Sequence, residues 1–157
     1  MNKLEIVKEI KKFFKIQEFV DERTFKRWGD NAWNFLDDKL LETIIVLRRD
    51  ILKVPLVCND WSWGGKNQQR GLRTNLSPLV KDKSDKGILY LTQHAMGKAV
   101  DFVSNKMSAD QMRKLIKENA NKLPYQCRVE DGASAPTWLH IDTMSDMNQR
   151  EKLYFFK

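Results

Sequence analysis

Apolar residues recur at the spacing of one helix face from the start of the chain. Ile6, Ile10, Phe13 and Phe14 are interleaved with Lys and Glu, which predicts an amphipathic helix. A second helical stretch opens at Asp21, a residue type suited to an N-cap. It carries Phe25, Trp28, Ala32, Leu36, Leu40, Ile44 and Leu47 at intervals of three and four. These positions read as core rather than as a face for a partner helix.

The pattern changes at Val54. Val54-Pro55-Leu56-Val57-Cys58 is a short apolar run and predicts a strand with Pro55 near its start. From Asn59 to Tyr90 the chain is rich in Gly, Asn, Ser, Lys and Asp and has no clear period. A loop of that length in a compact domain usually carries function. Trp61 and Trp63, beside Gly64-Gly65, either cover the core or wall a cleft. Lys98–Val103 predicts a strand, and Ser108-Ala-Asp-Gln111 has the spacing of a capping box that opens a helix with Met112, Leu115 and Ile116. Leu123-Pro124 ends that helix. Strands follow at about Gln126–Glu130 and Thr137–Thr143 around a turn at Asp131–Pro136, and Lys152–Phe156 predicts an edge strand. Helices first and strands later favour an α+β fold, a small antiparallel sheet flanked by helices. The expected organisation is one domain, residues 1–157, with a helical part over 1–50 and a sheet-containing core over 54–157.

Composition narrows the classes. The 157 residues are 41% hydrophobic and 10% aromatic, enough for a packed core and against disorder. No apolar run approaches the roughly 20 residues of a membrane span. The first fifteen residues alternate charged and apolar positions, unlike a signal peptide. Cys58 and Cys127 are too few and too far apart for a disulfide framework and read as buried thiols. The net charge of +7 suits any polyanion. Nucleic acid is not the expected partner, for there is no long basic run, zinc-finger spacing or Arg-rich arm.

Only two histidines occur, His94 and His140, each near a predicted strand that bears an aspartate. In Thr92-Gln-His-Ala-Met-Gly-Lys-Ala-Val-Asp101, Gly97 can turn the chain back after His94. Ala99 and Asp101 then share one strand face, with the small residue leaving room beside the carboxylate. In Thr137-Trp-Leu-His-Ile-Asp142 the alternation sets Trp138, His140 and Asp142 on one face, with Leu139 and Ile141 on the core side. Two imidazoles and a carboxylate suit zinc, and three protein ligands leave a fourth position open for water. The same donors form the iron triad of some oxygenases, but those place His and acid two residues apart, not seven.

The pattern His94-x-x-Gly97-x-Ala99-x-Asp101, with Thr92 preceding it, followed by Trp138-x-His140-x-Asp142, resembles the zinc D-alanyl-D-alanine carboxypeptidase family. That family shares its fold with Hedgehog signalling domains and includes many phage endolysins. The resemblance covers roughly Asn59 to Thr143. It implies zinc held by His94, Asp101 and His140, and peptidoglycan stem peptides as substrate, cut by a monomeric carboxypeptidase or endopeptidase. Arg70-Gly71-Leu72-Arg73-Thr74 resembles the family's arginine segment and implies that Arg73, with Arg70 as the alternative, meets the substrate carbonyl or carboxylate. The sequence departs from the family at the general base, where Thr137 and Trp138 stand in the usual places. Glu130 is the candidate base and Asp131 the alternative, either of which could equally be a surface acid of the turn, and Asp142 is expected to orient His140. The resemblance and the missing leader imply a phage lysis protein made in the host cytoplasm, or one carried on a virion. A non-catalytic wall-binding or virion structural module of the same fold is the alternative.

Overall fold

The computed structural model describes all 157 residues, and its elements begin where the sequence offers caps. Helix α1, Lys3–Ile10, starts at Asn2, whose side chain accepts from the Glu5 amide at 3.0 Å while Glu5 accepts from the Asn2 amide at 2.9 Å. Ile6 and Ile10 on its inner face are fully buried. Helix α2, Glu22–Trp28, is capped by Asp21, which accepts from the Thr24 amide at 2.6 Å.

The apolar run from Asp21 to Leu47 predicted one helical stretch, and the chain forms three pieces. After α2 comes a 3-10 segment, Gly29–Phe35, and then α3, Asp38–Val46, whose last turn widens into a π-helical turn over Leu47–Ile51. Gly29 adopts φ +51°, which breaks the α-helix. Asp37 restarts it by accepting from the Lys39 and Leu40 amides at 2.9 and 3.3 Å. Side-chain spacing survives these breaks because a 3-10 turn and an α turn differ little over one repeat.

Val54–Cys58 is not a strand: only Val57 bridges, to Val103, with N–O distances of 2.8 and 2.9 Å. Pro55 has no N–H to extend the ladder. The Asn59–Tyr90 segment holds a short 3-10 turn at Trp61–Trp63 and a helix, α4, over Pro78–Asp85. Helix α4 has Pro at its first turn but buries none of its residues, so no apolar period announces it. Lys81–Asp85 and Asp82–Lys86 pairs at 2.6 and 2.7 Å lace its surface.

Strand β1 is Ala99–Phe102, β2 Cys127–Glu130, β3 Leu139–Asp142 and β4 Leu153–Phe156. They lie in the order β1-β3-β2-β4. Strand β3 runs antiparallel to both β1 and β2, but β4 runs parallel to β2. The sheet is therefore mixed, not antiparallel as expected. The chain leaves β3, passes over β2, and adds β4 on the far edge, an arrangement that alternation within a strand does not encode. Helix α5, Ala109–Glu118, opens with the predicted Ser108–Gln111 box and packs Met112 and Ile116 inward against β3.

Val100, Phe102, Leu139 and Ile141 point from the sheet into the core. There they meet α1, α3 and an aromatic group in which Phe14 stacks on Phe102 at 5.8 Å and Phe19 lies 5.6 Å from Trp33. The opposite face of β1 and β3 is also closed from solvent, and it is polar. No helix is long and apolar enough to cross a membrane.

Candidate metal centre

Strand register builds the centre. Asp101 of β1 pairs directly with His140 of β3, and Ala99 pairs with Asp142, so four side chains share the polar face. Asp101 and His140 are 7% and 8% exposed, and Asp142 is fully buried. The small Ala99 stands opposite Asp142, so the room it leaves falls beside that carboxylate as well as beside Asp101 on its own strand.

His94 arrives from the turn before β1. Gly97 adopts φ +67°, and a Cβ there would stand 2.1 Å from the Phe35 carbonyl oxygen, so the turn requires glycine on two counts. The Gly97 carbonyl accepts from the Asp37 amide at 2.9 Å, and the His94 carbonyl accepts from the Arg73 amide at 3.1 Å.

The ring contacts of each histidine fix which nitrogen faces inward. His94 Nδ1 lies 2.8 Å from the Gly71 carbonyl oxygen, which can only accept. The proton is therefore on Nδ1, and the Nε2 lone pair turns to the centre. His140 Nε2 lies 3.0 Å from Asp142 Oδ2 and donates its proton to that carboxylate, so Nδ1 faces the centre. His94 Nε2 and His140 Nδ1 are 3.3 Å apart, and Asp101 approaches them at 3.4 Å and 2.8 Å. Tetrahedral ligands at about 2.0–2.1 Å from a cation stand roughly 3.3 Å from one another. All the donor atoms lie within 4.8 Å, and His94, Asp101 and His140 form a buried group able to hold a metal ion.

A hydrogen bond of 2.8 Å joins His140 Nδ1 to Asp101 Oδ1. Burial disfavours the imidazolium, but hydrogen bonds to Asp101 and Asp142 outweigh it and raise His140 from 6.5 to about 9. Burial likewise opposes charge on Asp101, yet the hydrogen bond from His140, with the His94 ring beside it, holds its carboxyl well below the usual range. Asp142 is lowered in the same way, burial being overcome by His140 and Arg128.

The remaining expectations divide. Arg73 reaches the centre, with Nη2 3.3 Å from Asp101 Oδ2, Nε donating to the Gln69 carbonyl at 2.7 Å and Nη1 3.2 Å from the Tyr90 hydroxyl. Arg70 turns away toward the Cys58 carbonyl, though its own carbonyl accepts from the Asp101 amide at 2.7 Å. Glu130 continues the β2–β3 register one step past Val129–Ile141, which sets it across from His140 on the same face. It lines an open cavity of about 300 Å³ over the centre, together with Arg73, Tyr90 and Trp138. Asp131 instead caps its own turn, accepting from the Ser134 amide at 2.8 Å. Trp61 donates to the Val20 carbonyl at 2.8 Å and covers Phe25, and Trp63 is exposed; neither lines this cavity.

Three supporting residues had no place in the sequence reading. Arg128 donates through Nε to both oxygens of Asp142 at 2.9 Å and lies 4.2 Å over the Phe156 ring. Phe156 packs edge-on to His140 at 5.6 Å. Arg113, on α5, donates to the carbonyls of Glu130, Ala135 and Trp138 and so fixes the β2–β3 turn. Arg128 was accessible from the alternation that put it on the face of Glu130. Phe156 was not, since nothing local announces that β4 joins β2. No protein-family model, curated protein or solved structure matches the chain.

Proposed function

We propose that this protein is a zinc metallopeptidase that cleaves the stem peptides of peptidoglycan, in the manner of a phage endolysin. One observation carries the reading: two imidazole nitrogens and a carboxylate converge beneath an open cavity, each imidazole tied off on its far side. Borderline imidazole and carboxylate donors in a roughly tetrahedral spacing favour zinc over the harder cations. The ion, when bound, would supply Lewis acidity for the scissile carbonyl and lower the pKa of an attacking water.

The chain's own residues would do the rest. Arg73, anchored at Nε by the Gln69 carbonyl, presents its Nη groups to the cavity and would steady negative charge on the carbonyl oxygen. Glu130 has no hydrogen-bond partner for its carboxylate and faces the cavity across from His140. It would take the proton from water and return it to the leaving amine. Asp142 and the Gly71 carbonyl keep both imidazoles in the binding tautomer throughout. The resemblance of His94–Asp101 and Trp138–Asp142 to the D-alanyl-D-alanine carboxypeptidases supports the substrate assignment.

Chelator-treated protein and the variants Asp101→Ala and His140→Ala should lose the ability to clear suspensions of purified cell walls. Glu130→Gln should keep its metal and lose about 10²–10⁴-fold in kcat. Full clearing by any of the metal-ligand variants would sink the mechanism. Wall binding without release of new amine termini would favour a non-catalytic wall module instead. Mass spectrometry of digested muropeptides would identify the bond.

A further inference from the structure

A cavity larger than the one over the candidate metal site lies elsewhere in the molecule. It is an open cleft of about 820 Å³ between α2 and the segment 66–78, and its walls carry Arg23, Lys26, Arg27 and Lys66. Its two carboxylates, Asp21 and Glu22, are already engaged. Asp21 caps α2 through the Thr24 amide, and Glu22 pairs with Lys26 at 2.8 Å. Arg23, Arg27 and Lys66 have no carboxylate within ion-pair distance. Three free cations facing one cleft form a focused positive field.

The next face of α2, at Thr24 and Trp28, and the next residues of the opposite wall, Arg73 and Thr74, enclose a smaller cavity of about 350 Å³. Its floor is apolar, with Trp28 and Phe35 edge-to-face at 5.0 Å. Trp28, Phe35 and Met96 are 44%, 38% and 47% exposed there, a contiguous apolar strip left open to solvent. Arg73 lines both this cavity and the one above the metal centre. Gln69 joins the far end, lining the cationic cleft while its carbonyl anchors Arg73.

We infer that these three cavities form one substrate groove, in which the cationic cleft binds carboxylates of an acidic peptide on the part remote from the scissile bond. The segment nearest the metal centre crosses the Trp28–Phe35–Met96 strip, where aliphatic side chains or a sugar face lose water. The carboxylates beyond it meet Arg23, Arg27 and Lys66, which supply affinity and orientation rather than chemistry. The identity of the peptide as a wall stem peptide rests on the metallopeptidase reading; the charge preference of the groove does not.

Two fluorescently labelled muropeptides of one sequence, with their carboxylates free or converted to carboxamides, test this. The variant Arg23→Gln/Arg27→Gln/Lys66→Gln removes three exposed charges without touching the core. Removing Lys8, Lys12 and Lys114 in the same way gives a control of equal net charge. Exposed ion pairs contribute modestly, so the triple variant should weaken binding of the free-carboxylate peptide by about tenfold. Its KM should rise with kcat and metal content unchanged, the carboxamide peptide should bind weakly and alike to all three proteins, and the control should match the parent. Anisotropy with chelator-treated protein measures the same preference when nothing is cleaved, so a failed hydrolase leaves the groove open to test. Equal affinity of the parent for both peptides would overturn the inference. So would a glycerol-phosphate polymer that binds in an Arg23/Arg27/Lys66-dependent way while the acidic peptide does not.

Discussion

Asp142→Asn is the sharpest test of how the centre is held. Every partner of the Asp142 carboxylate is a donor: His140 Nε2 on Oδ2, the Met144 amide on Oδ1, and Arg128 Nε on both. An asparagine offers one acceptor and one donor in the same fully buried place. If its oxygen faces Arg128 and Met144, its NH₂ meets His140 Nε2. The imidazole must then move its proton to Nδ1, the nitrogen that faces Asp101 and His94. If the oxygen faces His140, the Arg128 and Met144 donors lose their acceptor. Loss of such an orienting partner costs about 10–100-fold in metal affinity, or about 1.4–2.8 kcal/mol. The tautomer conflict puts this variant at the upper end. Competition against a chromophoric chelator measures the affinity, circular dichroism checks the fold, and ¹⁵N shifts of His140 report the tautomer. A folded Asp142→Asn protein that binds zinc within threefold of the parent, with the His140 tautomer unchanged, would refute the reasoning.

Three other outcomes follow from the same geometry. Gly71→Ala would place a Cβ 2.2 Å from the Phe19 carbonyl oxygen and push away the carbonyl that orients His94, so it should cost about 1–3 kcal/mol and weaken metal binding together, read by urea melts and chelator competition. Arg113→Met should destabilise by about 3 kcal/mol, since it strips donors from three carbonyls of the β2–β3 turn, and it should lower kcat through Glu130 more than metal affinity. In the chelated protein, His140 is raised from 6.5 to about 9 by Asp101 and Asp142 against the opposing effect of burial. Its contribution is complete below pH 6.5 and is lost as pH rises through 9, so Tm of the chelated form should fall across that window, and a flat or rising Tm would count against a raised His140.

Much of the fold was legible because caps and alternation are local. Asp21 and Ser108 supply side-chain acceptors to amides three residues on, whatever the rest of the chain does. Strands β1, β2 and β3 were visible because one face of each had to be apolar. Helix α4 was hidden since it buries nothing, and Val54–Cys58 misled because an apolar run satisfies a loop packed on the core as well as a strand. The parallel placement of β4 depends on which edge remains open after β1, β3 and β2 have paired, a property of the assembled sheet. In the candidate centre, the convergence of His94, Asp101 and His140 followed from alternation plus one turn. The choice of Arg73 over Arg70 did not, because two arginines three residues apart differ only in which way the folded loop points them.

The N-terminal helical third, silent in the motif, acts on the centre through two glycines. Gly71 lies against the Phe19 carbonyl, and that oxygen also accepts from the Leu72 amide at 2.7 Å. Gly97 lies against the Phe35 carbonyl, and the Asp37 amide closes the contact. One contact aims the carbonyl that sets the His94 tautomer, and the other sets the turn that delivers His94 to β1. Phe14 and Phe19, from the same third, pack on Phe102 beneath Asp101. The helical part and the sheet-containing part meet at the centre: Asp101 and His140 sit on the sheet, His94 on the turn before it, and the backbone that orients His94 is clamped by the helical segment. The candidate metal site depends on the whole chain, and stability and metal affinity should change together for substitutions at Phe19 or Phe35 far from any candidate ligand.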